Sequence, residues 1–262
     1  MKVGYLQTSP IFGDKQRNFE QVRSLLKSIK ADLIVLPELF ATGYTFVSKK
    51  EAESLSEKSD GITAEFLINL ANKTNAIIVA GFAEKDSNQI FNSSLIVSGK
   101  EVLGTYRKIH LYYKEKLWFS PGNKPLEIYE VKKAKIGVMI CFDWFFPETI
   151  RSLALLGADI IVHPANLVLP YCQRAMITHC LINRVFAVTS NRIGNEARGE
   201  DNFTFTGGSQ ITSYNGDVLS SAPKDKTYSD FVKIEVKRAR DKNLNKYNNV
   251  IKDRRTEFYS LE

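Results

Sequence analysis

The sequence KIGVMICFDWFFPE, residues 135–148, combines the pattern of a buried strand with a reactive side chain. Its apolar run has the length of a buried strand and ends at Cys141, and residues 143–147 then break the run and lead into a helix. Cys141 therefore lies at the tip of a predicted strand, where a helix start nearby favours the thiolate. Because most buried cysteines are inert, the role of Cys141 depends on the residues that share its site.

Two further polar residues follow predicted strands. The run ADLIVLPEL, residues 31–39, is apolar on both faces, as in a parallel strand covered by helices, and Glu38 lies at its end. Three predicted strands precede Lys108, the last two of them joined as a hairpin: 76–83, 90–97 and 102–107. Ligands of mostly parallel sheets bind beyond the carboxyl ends of the strands, so we expect Glu38, Lys108 and Cys141 to share one crevice.

The second half of the chain repeats the order of the first. ADLIVLPEL at 31–39 corresponds to ADIIVHPANL at 158–167, and NAIIVAGFAEK at 75–85 corresponds to NRVFAVTSNRIG at 183–194. Each half then continues into a hairpin, across Ser98-Gly99 and Asn215-Gly216 respectively. This long-period similarity predicts two related βαβαβββ halves. Two sheets packed face to face with helices outside bury such strands, so we predict an α/β four-layer αββα sandwich.

Helices and a long connection link these strands. Residues 3–7 predict the first strand, and two apolar helix faces follow: Phe19, Val22, Leu25, Leu26 and Ile29 in one, and Ile62, Phe66, Leu67 and Leu70 in the next. Between them, residues 39–61 form a long connection with Tyr44 near its start. We interpret this connection as a candidate substrate loop.

The composition is that of a folded chain with one large core. The 262 residues are 44% hydrophobic and 25% charged, so we expect a single domain over 1–262. Residues 1–10 lack signal-peptide features and no stretch has the length and apolarity of a membrane span, so we expect a cytoplasmic protein without a membrane partner. Cys141, Cys172 and Cys180 show neither metal-type spacing nor a disulfide framework.

The net charge of +7 is concentrated near the C-terminus. Residues 233–255 contain nine Lys or Arg against three acidic residues. A basic arm at about 237–262 has two interpretations: a tail for nucleic acid or an acidic partner, or a solvated arm that packs against a neighbouring subunit. We favour the second, without nucleic acid, because no recognition motif accompanies the charge.

A carboxylate, an ammonium group and a thiol suit acyl transfer through a covalent thioester. Glu38 would take the proton of Cys141, return it to the leaving amine, and then activate the water that hydrolyses the intermediate. Lys108 and the backbone N–H of Phe142 would stabilise the oxyanion. Lys108 is expected to lower the thiol pKa, whereas Glu38 and burial raise it.

Other polar residues near the cysteine have simpler explanations. Pro147 and Glu148 suit the first turn of a helix. His163 has the residue type of a thiol-protease partner for Cys141, but it lies within an apolar run and we interpret it as a packed core histidine. His110 and His179 show no metal-ligand spacing, so we predict no zinc site.

Three motifs resemble the nitrilase superfamily of carbon–nitrogen hydrolases: LPELFATGY around Glu38, YRKIHLY around Lys108 and GVMICFDWFFPE around Cys141. CFDWFFPE, HPANLVLPY and the ending KDRRTEFY are most similar to thermostable aliphatic nitrilases of archaea. The resemblance implies the αββα fold, a Glu38-Lys108-Cys141 triad, no metal or organic cofactor, and homodimers or larger assemblies. It also implies that Glu115 orients the lysine and substrate, although between Lys114 and Lys116 a surface glutamate is equally consistent with composition.

The resemblance implies hydrolysis of a small aliphatic nitrile or a linear amide to a carboxylic acid and ammonia. Many dedicated nitrilases carry Trp and Glu after the cysteine, whereas Phe142 and Asp143 follow it here, as in many amidase branches. An ω-amidase or N-carbamoylputrescine amidase is therefore an alternative, with Arg174 either binding a substrate carboxylate or lying on a helix surface. A scaffold without catalysis, recruiting partners through the basic arm, is the remaining alternative.

Aromatic residues near the three motifs are candidates for the walls of a small apolar pocket. They are Tyr112, Trp118, Phe119, Trp144 and Phe145. The residues that we predict to bind substrate are Tyr44, Tyr112, Phe142, Trp144 and Asn166.

Overall fold

A computed structural model describes residues 1–27 and 29–260 of the chain. The strands are β1 (Lys2–Gln7), β2 (Leu33–Val35), β3 (Ile77–Asp86), β4 (Gln89–Val97), β5 (Val102–Arg107), β6 (Ile128–Val131), β7 (Ala134–Val138), β8 (Ile160–Pro164), β9 (Phe186–Ser190), β10 (Ile193–Arg198), β11 (Asp201–Thr206), β12 (Gln210–Thr212), β13 (Val218–Ser221) and β14 (Tyr228–Lys233). The helices are α1 (Lys15–Leu25), α2 (Lys49–Leu55), α3 (Ile62–Thr74), α4 (Glu115–Trp118), α5 (Pro147–Leu155), α6 (Cys172–Asn183) and α7 (Lys237–Arg240). Two 3₁₀ segments complete them, Thr256–Phe258 and Cys141–Phe145, and we refer to the latter as the cysteine turn.

Within the described residues, the strands form two six-stranded mixed sheets and one separate hairpin. The first sheet has the order β14-β1-β2-β3-β4-β5 and the second the order β13-β12-β9-β8-β7-β6. In the first, β1, β2 and β3 are parallel, and β14, β4 and β5 are antiparallel to their neighbours. The second repeats this arrangement with β7, β8 and β9 parallel and β6, β12 and β13 antiparallel. The predicted pseudo-repeat is therefore confirmed, with β10 and β11 inserted in the second half.

The alternation of side chains along the central strands buries both faces of each sheet. In β1, Val3 and Tyr5 pack toward the second sheet, whereas Leu6 packs with Phe19 and Val22 of α1. The strand β1 lies against β9, and β2 and β3 lie against β8. Helices α1 and α3 cover the outer face of the first sheet, and α5 and α6 cover that of the second. The molecule thus has the predicted layers, helix, sheet, sheet and helix.

Three predicted segments differ from the structure in part. The connection 39–61 is not entirely loop, because Ser48 caps the helix α2 through its side chain and starts a helix inside it. The first predicted helix face extends too far, since α1 ends at Leu25. Ile62 begins α3 but is 55% exposed, so it does not join the core face of that helix.

The C-terminal segment follows β14 of the first sheet and crosses to the second half of the molecule, where Arg240 donates a hydrogen bond to the carbonyl oxygen of Lys133 between β6 and β7. Arg240 forms an ion pair with the buried Asp159 at 2.9 Å. Lys242 donates hydrogen bonds to the carbonyl oxygens of Asn183 and Arg184 at the end of α6. These contacts attach the start of the basic arm to the second half of the molecule. No helix in the described part of the chain has the length and apolarity required to cross a membrane.

Candidate active site

The cysteine turn follows β7 directly and holds Cys141 in an unusual backbone conformation. Cys141 has φ of +42°, a left-handed value that costs a residue with a side chain on the order of 1 kcal/mol or more. The buried carboxylate of Asp143 stabilises the turn from inside: it accepts hydrogen bonds from Ile140 N (2.8 Å), the Tyr106 hydroxyl (2.7 Å) and His110 N (3.0 Å). The turn is therefore fixed to both sheets before the chain enters α5.

Glu38 lies immediately beyond β2 and is completely buried. Its Oε1 accepts hydrogen bonds from Lys108 Nζ at 2.8 Å and Asn92 Nδ2 at 2.7 Å. Its Oε2 is buried and has no hydrogen-bond partner among the described residues. Gly81 on β3 permits this placement, because a Cβ there would lie 2.5 Å from the Cα of Glu38. One carboxylate oxygen is thus anchored while the other remains free.

Lys108 lies just beyond β5 and is held between two acidic side chains. Its Nζ is 2.8 Å from Glu38 Oε1 and 2.8 Å from both oxygens of Glu115, at the start of α4. Glu115 is 4% exposed, so the interpretation of this residue as a surface glutamate is wrong. Gly122 allows the chain to pass close by, donating its N–H to the Lys108 carbonyl at 2.8 Å. The predicted strand ends therefore bring Glu38 and Lys108 together, and the start of α4 adds Glu115.

The charges of this cluster act on the Cys141 thiol, which is 7% exposed. Burial and the Glu38 carboxylate raise the pKa of Cys141 well above its usual range, and Lys108 opposes this rise. Burial works against the Lys108 ammonium, but the Glu115 and Glu38 carboxylates raise the pKa of Lys108 overall. Burial also raises the pKa of Glu115, which Lys108 lowers in turn. In the resting site the thiol is therefore protonated, and its reaction requires a base at the moment of attack.

Cys141 opens onto a small cavity with mostly apolar walls. The cavity is open to solvent and is lined by Tyr112, Cys141, Phe142, Trp144, Asn166, Leu167, Val168 and Leu169. Asn166 is 2% exposed, and neither its Oδ1 nor its Nδ2 has a hydrogen-bond partner in the residues described. A buried amide without partners is costly, so Asn166 is suited to a polar group of a bound molecule. Four of the five residues predicted to bind substrate line this cavity.

The fifth, Tyr44, lines an adjacent cavity together with Glu115 and Trp118. Burial and the nearby Glu115 carboxylate raise the pKa of Tyr44 well above its usual range. Tyr44 therefore contacts the acidic side of the cluster rather than the apolar walls around the thiol.

The inserted hairpin β10–β11 holds the loop that carries Tyr44. The Glu196 carboxylate accepts hydrogen bonds from Tyr44 N at 2.9 Å and Thr45 N at 2.7 Å. The rings of Phe203 and Phe205 meet the Tyr44 ring edge to face, with centroids 5.8 and 5.9 Å away. The second half of the chain thus fixes a loop of the first half beside the site.

Three residues considered for the substrate pocket lie elsewhere. Phe145 is 53% exposed, because the cysteine turn points its side chain outward. Phe119 is buried but packs edge to face on Phe46, with centroids 5.4 Å apart. Arg174 is an exposed residue of α6 that does not line the cavity, as its interpretation as a helix-surface arginine predicts.

Sequence reasoning missed Asn92 and Asp143, which support the site from within. Both are completely buried. Asn92 begins the polar triplet Asn92-Ser93-Ser94 inside the otherwise apolar strand β4, and all three side chains are buried. Polar residues at strand positions that must be buried require partners, so this triplet was a usable signal. Asp143 gave no comparable signal, because an acid near a helix start has a common local explanation.

His163 is completely buried in β8, as predicted for a core histidine. Its Nδ1 lies 3.1 Å from Thr189 Oγ1, and its Nε2 lies 3.0 Å from the Cys141 carbonyl oxygen rather than from the thiol. Burial lowers the pKa of His163 from 6.5 to about 4. The imidazole is therefore neutral at pH 7, and the nitrogen that faces the Cys141 carbonyl carries the hydrogen.

This shift predicts acid destabilisation of the fold. A histidine whose pKa is lower in the folded state favours folding above pH 6.5, and that contribution is lost as the pH falls from about 6.5 toward 4. A shift from 6.5 to about 4 corresponds to about 3 kcal/mol. Urea unfolding of the wild type and His163→Leu at several pH values measures it: between pH 6.5 and 4 the wild type should lose up to about 3 kcal/mol more of its free energy of unfolding than His163→Leu loses. A pH-independent difference would contradict the prediction.

No group of three or more His, Cys, Asp or Glu side chains with a metal-binding arrangement occurs within residues 1–27 and 29–260. The three cysteines are free and buried.

Comparison with known proteins gives a consistent result along the whole chain. A family model described as carbon-nitrogen hydrolase matches residues 2–240. A nitrilase of Pyrococcus abyssi is 43% identical over 263 residues, covering 99% of both chains. A citrullinase of Francisella tularensis is 32% identical, covering 99% of this chain and 96% of its own. The crystal structure of a carbon-nitrogen hydrolase from Helicobacter pylori superposes with a TM-score of 0.85 at 24% identity, covering 99% of this chain and 97% of the other.

Proposed function

This chain belongs to the carbon-nitrogen hydrolase family, within the nitrilase superfamily, and from that membership we propose that it hydrolyses a small aliphatic nitrile or linear amide through a thioester on Cys141. The observation that carries the proposal is the state of Glu38. Lys108 and Asn92 anchor one of its oxygens, and the other is buried without a partner. A carboxylate with one free oxygen in a water-poor site is suited to accept the proton of a protonated thiol.

For an amide, the reaction begins when the Cys141 sulfur attacks the carbonyl carbon as Glu38 takes the thiol proton. Lys108 and the backbone N–H of Phe142 stabilise the oxyanion of the tetrahedral intermediate. Collapse of the intermediate breaks the carbon–nitrogen bond, and Glu38 returns the proton to the leaving nitrogen as ammonia departs. Glu38 then takes a proton from water, which attacks the thioester and releases the acid and the free thiol.

For a nitrile, the same thiol adds across the triple bond and the proton passes through Glu38 to the nitrogen, which gives a thioimidate. Water adds to this intermediate, ammonia leaves, and the same thioester results. A second water then completes hydrolysis, so each nitrile consumes two waters and yields one acid and one ammonia. Glu115 orients Lys108 in both reactions, since both of its oxygens contact the amine.

Substrate binding is assigned to Tyr112, Phe142, Trp144 and Asn166 around the thiol, with Tyr44 on the acidic side. The apolar walls suit a short hydrocarbon chain, and the Asn166 amide suits the nitrogen or oxygen at the reacting carbon. The ω-amidase alternative requires a cation for the substrate carboxylate. Arg174 does not line the cavity, and Lys114 in the adjacent one is paired with Asp201 at 2.9 Å. These observations favour uncharged substrates.

A substrate panel with ammonia detection tests the proposal. We expect butyronitrile or butyramide to give a kcat/KM about 100-fold above that of succinamic acid, because an unpaired carboxylate in a desolvated site costs several kcal/mol. N-carbamoylputrescine serves as the cationic comparison. Preference for succinamic acid would support the ω-amidase alternative, and preference for the carbamoyl amine would support the other amidase. If none of the four compounds released ammonia, the proposed substrate class would be wrong.

We also propose that the chain is one domain over 1–262 that assembles in the cytoplasm as a homodimer or larger oligomer. Free buried cysteines fit a reducing compartment. Large apolar side chains are exposed on the outer helices and the basic arm, which supports contact with another subunit: Leu155, Leu156, Leu181, Ile182, Leu244, Tyr247 and Phe258. Sedimentation analysis of the full chain measures the assembly directly.

A further inference from the structure

His163 links the catalytic turn to two strands of the second sheet. The Cys141 carbonyl oxygen can only accept a hydrogen bond, so His163 Nε2 donates across their 3.0 Å separation. Nδ1 of the neutral ring is then an acceptor, and the Thr189 hydroxyl donates to it at 3.1 Å. The chain of hydrogen bonds therefore runs from Thr189 on β9 through His163 on β8 to the backbone of the cysteine.

The internal repeat shows that packing alone does not require an imidazole at this position. Alignment of ADLIVLPEL with ADIIVHPANL places Leu36 opposite His163. Leu36 is also completely buried, so an aliphatic side chain meets the same need for burial in the first half. Burying an imidazole is less favourable than burying leucine, and that cost needs compensation from its hydrogen bonds. The imidazole therefore occurs in the same half of the chain as the Cys141 thiol, and leucine replaces it in the half without the thiol.

The backbone of Cys141 is the element that needs support. Its φ of +42° is unfavourable for a residue with a Cβ. Asp143 fixes the residue before it by accepting from Ile140 N at 2.8 Å, and His163 fixes the carbonyl of Cys141 itself. Together these two hydrogen bonds determine the direction in which the Cα–Cβ bond carries the sulfur.

We propose that His163, oriented by Thr189, is a positioning residue that holds the Cys141 carbonyl and thereby aims the thiol at the substrate carbon. It exchanges no proton with the thiol. The inference rests on the thioester mechanism proposed above, because it assigns a role to the geometry of the nucleophile. Misplacing a reacting atom by about 1 Å commonly costs on the order of 100-fold in rate, so loss of this hydrogen bond should appear in kcat rather than in substrate binding.

The test compares His163→Leu with His163→Gln. Glutamine places an N–H near the position of Nε2, whereas leucine copies the packing solution of the first half. We expect His163→Leu to lower kcat about 10- to 100-fold with KM changed less than threefold, and His163→Gln to restore kcat to within about fivefold of wild type. We expect the opposite order in thermal unfolding: the Tm of His163→Leu should be at least as high as that of His163→Gln. A purely structural role predicts that rate follows stability.

Alkylation of Cys141 by iodoacetamide gives a second measurement that needs no turnover. Mass spectrometry of the labelled peptide reports the rate at Cys141, and we expect His163→Leu to slow it by a factor similar to that in kcat. Thr189→Val removes only the hydroxyl that orients His163, and it should lower kcat and the alkylation rate to a smaller extent than His163→Leu. This variant also tests the proposal if His163→Leu fails to fold. Folded His163→Leu with kcat and alkylation within twofold of wild type would overturn the proposal. Absence of turnover in the wild type would refute the function instead, and the alkylation rates would still test the positioning.

Discussion

Replacement of Cys141 with alanine is expected to abolish ammonia release and to leave the fold intact. The thiol is the nucleophile of the proposed reaction, and removing a nucleophile typically lowers kcat by on the order of 10⁴-fold or more. The cysteine turn is held by Asp143 and His163 rather than by the sulfur, so it should persist in the variant. Loss of one buried sulfur should cost about 1 kcal/mol and shift the Tm by only a few degrees.

Cys180→Ala provides the matched control. Cys180 is a fully buried cysteine on α6, outside the cavity that Cys141 lines. It should lose a similar small amount of stability and keep kcat within about twofold of wild type, because it touches no reacting group. Ammonia assays measure kcat, and thermal unfolding measures the Tm, for both variants. Cys141→Ala with more than about 1% of wild-type activity would discard the thioester mechanism.

Lys108→Met should have the largest effect on stability together with a loss of turnover. The variant leaves the buried carboxylates of Glu38 and Glu115 without their shared cation. Removing one partner of a buried ion pair typically costs about 3–5 kcal/mol, which lowers the Tm of a chain of this size by roughly 10 °C. Because two neighbouring carboxyls then favour sharing a proton, the loss of stability should increase with rising pH. Loss of the oxyanion charge should reduce kcat on the order of 10³-fold.

Lys114→Met tests whether burial causes this effect. Lys114 also pairs with a carboxylate, that of Asp201 at 2.9 Å, but its side chain is 30% exposed. Solvent-exposed pairs contribute about 0–1 kcal/mol, so the Tm should change by no more than a few degrees. Urea unfolding of both variants from pH 6 to 9 compares the stability that is lost with each lysine. Equal stability losses in both variants, or a fully active Lys108→Met, would refute the role assigned to Lys108.

The placement of Glu38, Lys108 and Cys141 was predictable because it follows from strand order. Each residue ends or follows an apolar run of strand length, and parallel strands bring such ends to one edge. The pseudo-repeat was visible for the same reason, since parallel strands buried on both faces require long apolar segments, such as ADLIVLPEL and ADIIVHPANL. Strand order was therefore sufficient to predict most of the fold and the positions of the proposed triad.

The hydrogen-bond partners of the residues that support the site were not predictable from pattern alone. The bonds of Asn92 to Glu38, of Tyr106 to Asp143 and of His163 to the Cys141 carbonyl each join residues distant in sequence. Local periodicity contains no information about which buried polar groups will meet. The exposure of Phe145 was missed for a related reason: the left-handed conformation at Cys141 reorients the side chains after it, and that conformation is not encoded in residue type.

The proposed chemistry is divided between the two halves of the chain. Glu38, Lys108 and Glu115 belong to the first half and Cys141 begins the second, so the acid and the sulfur meet only through the interface of the sheets. The Tyr5 hydroxyl and Ser220 Oγ, 2.9 Å apart, join the first half to the second far along the chain from any reacting group. Under the proposed mechanism neither half alone carries all the reacting groups, and a small displacement of one sheet over the other would separate Glu38 from Cys141. A substitution at the interface between the two sheets is therefore expected to change the rate of the proposed reaction as well as the stability of the fold. This dependence couples the evolution of the two halves.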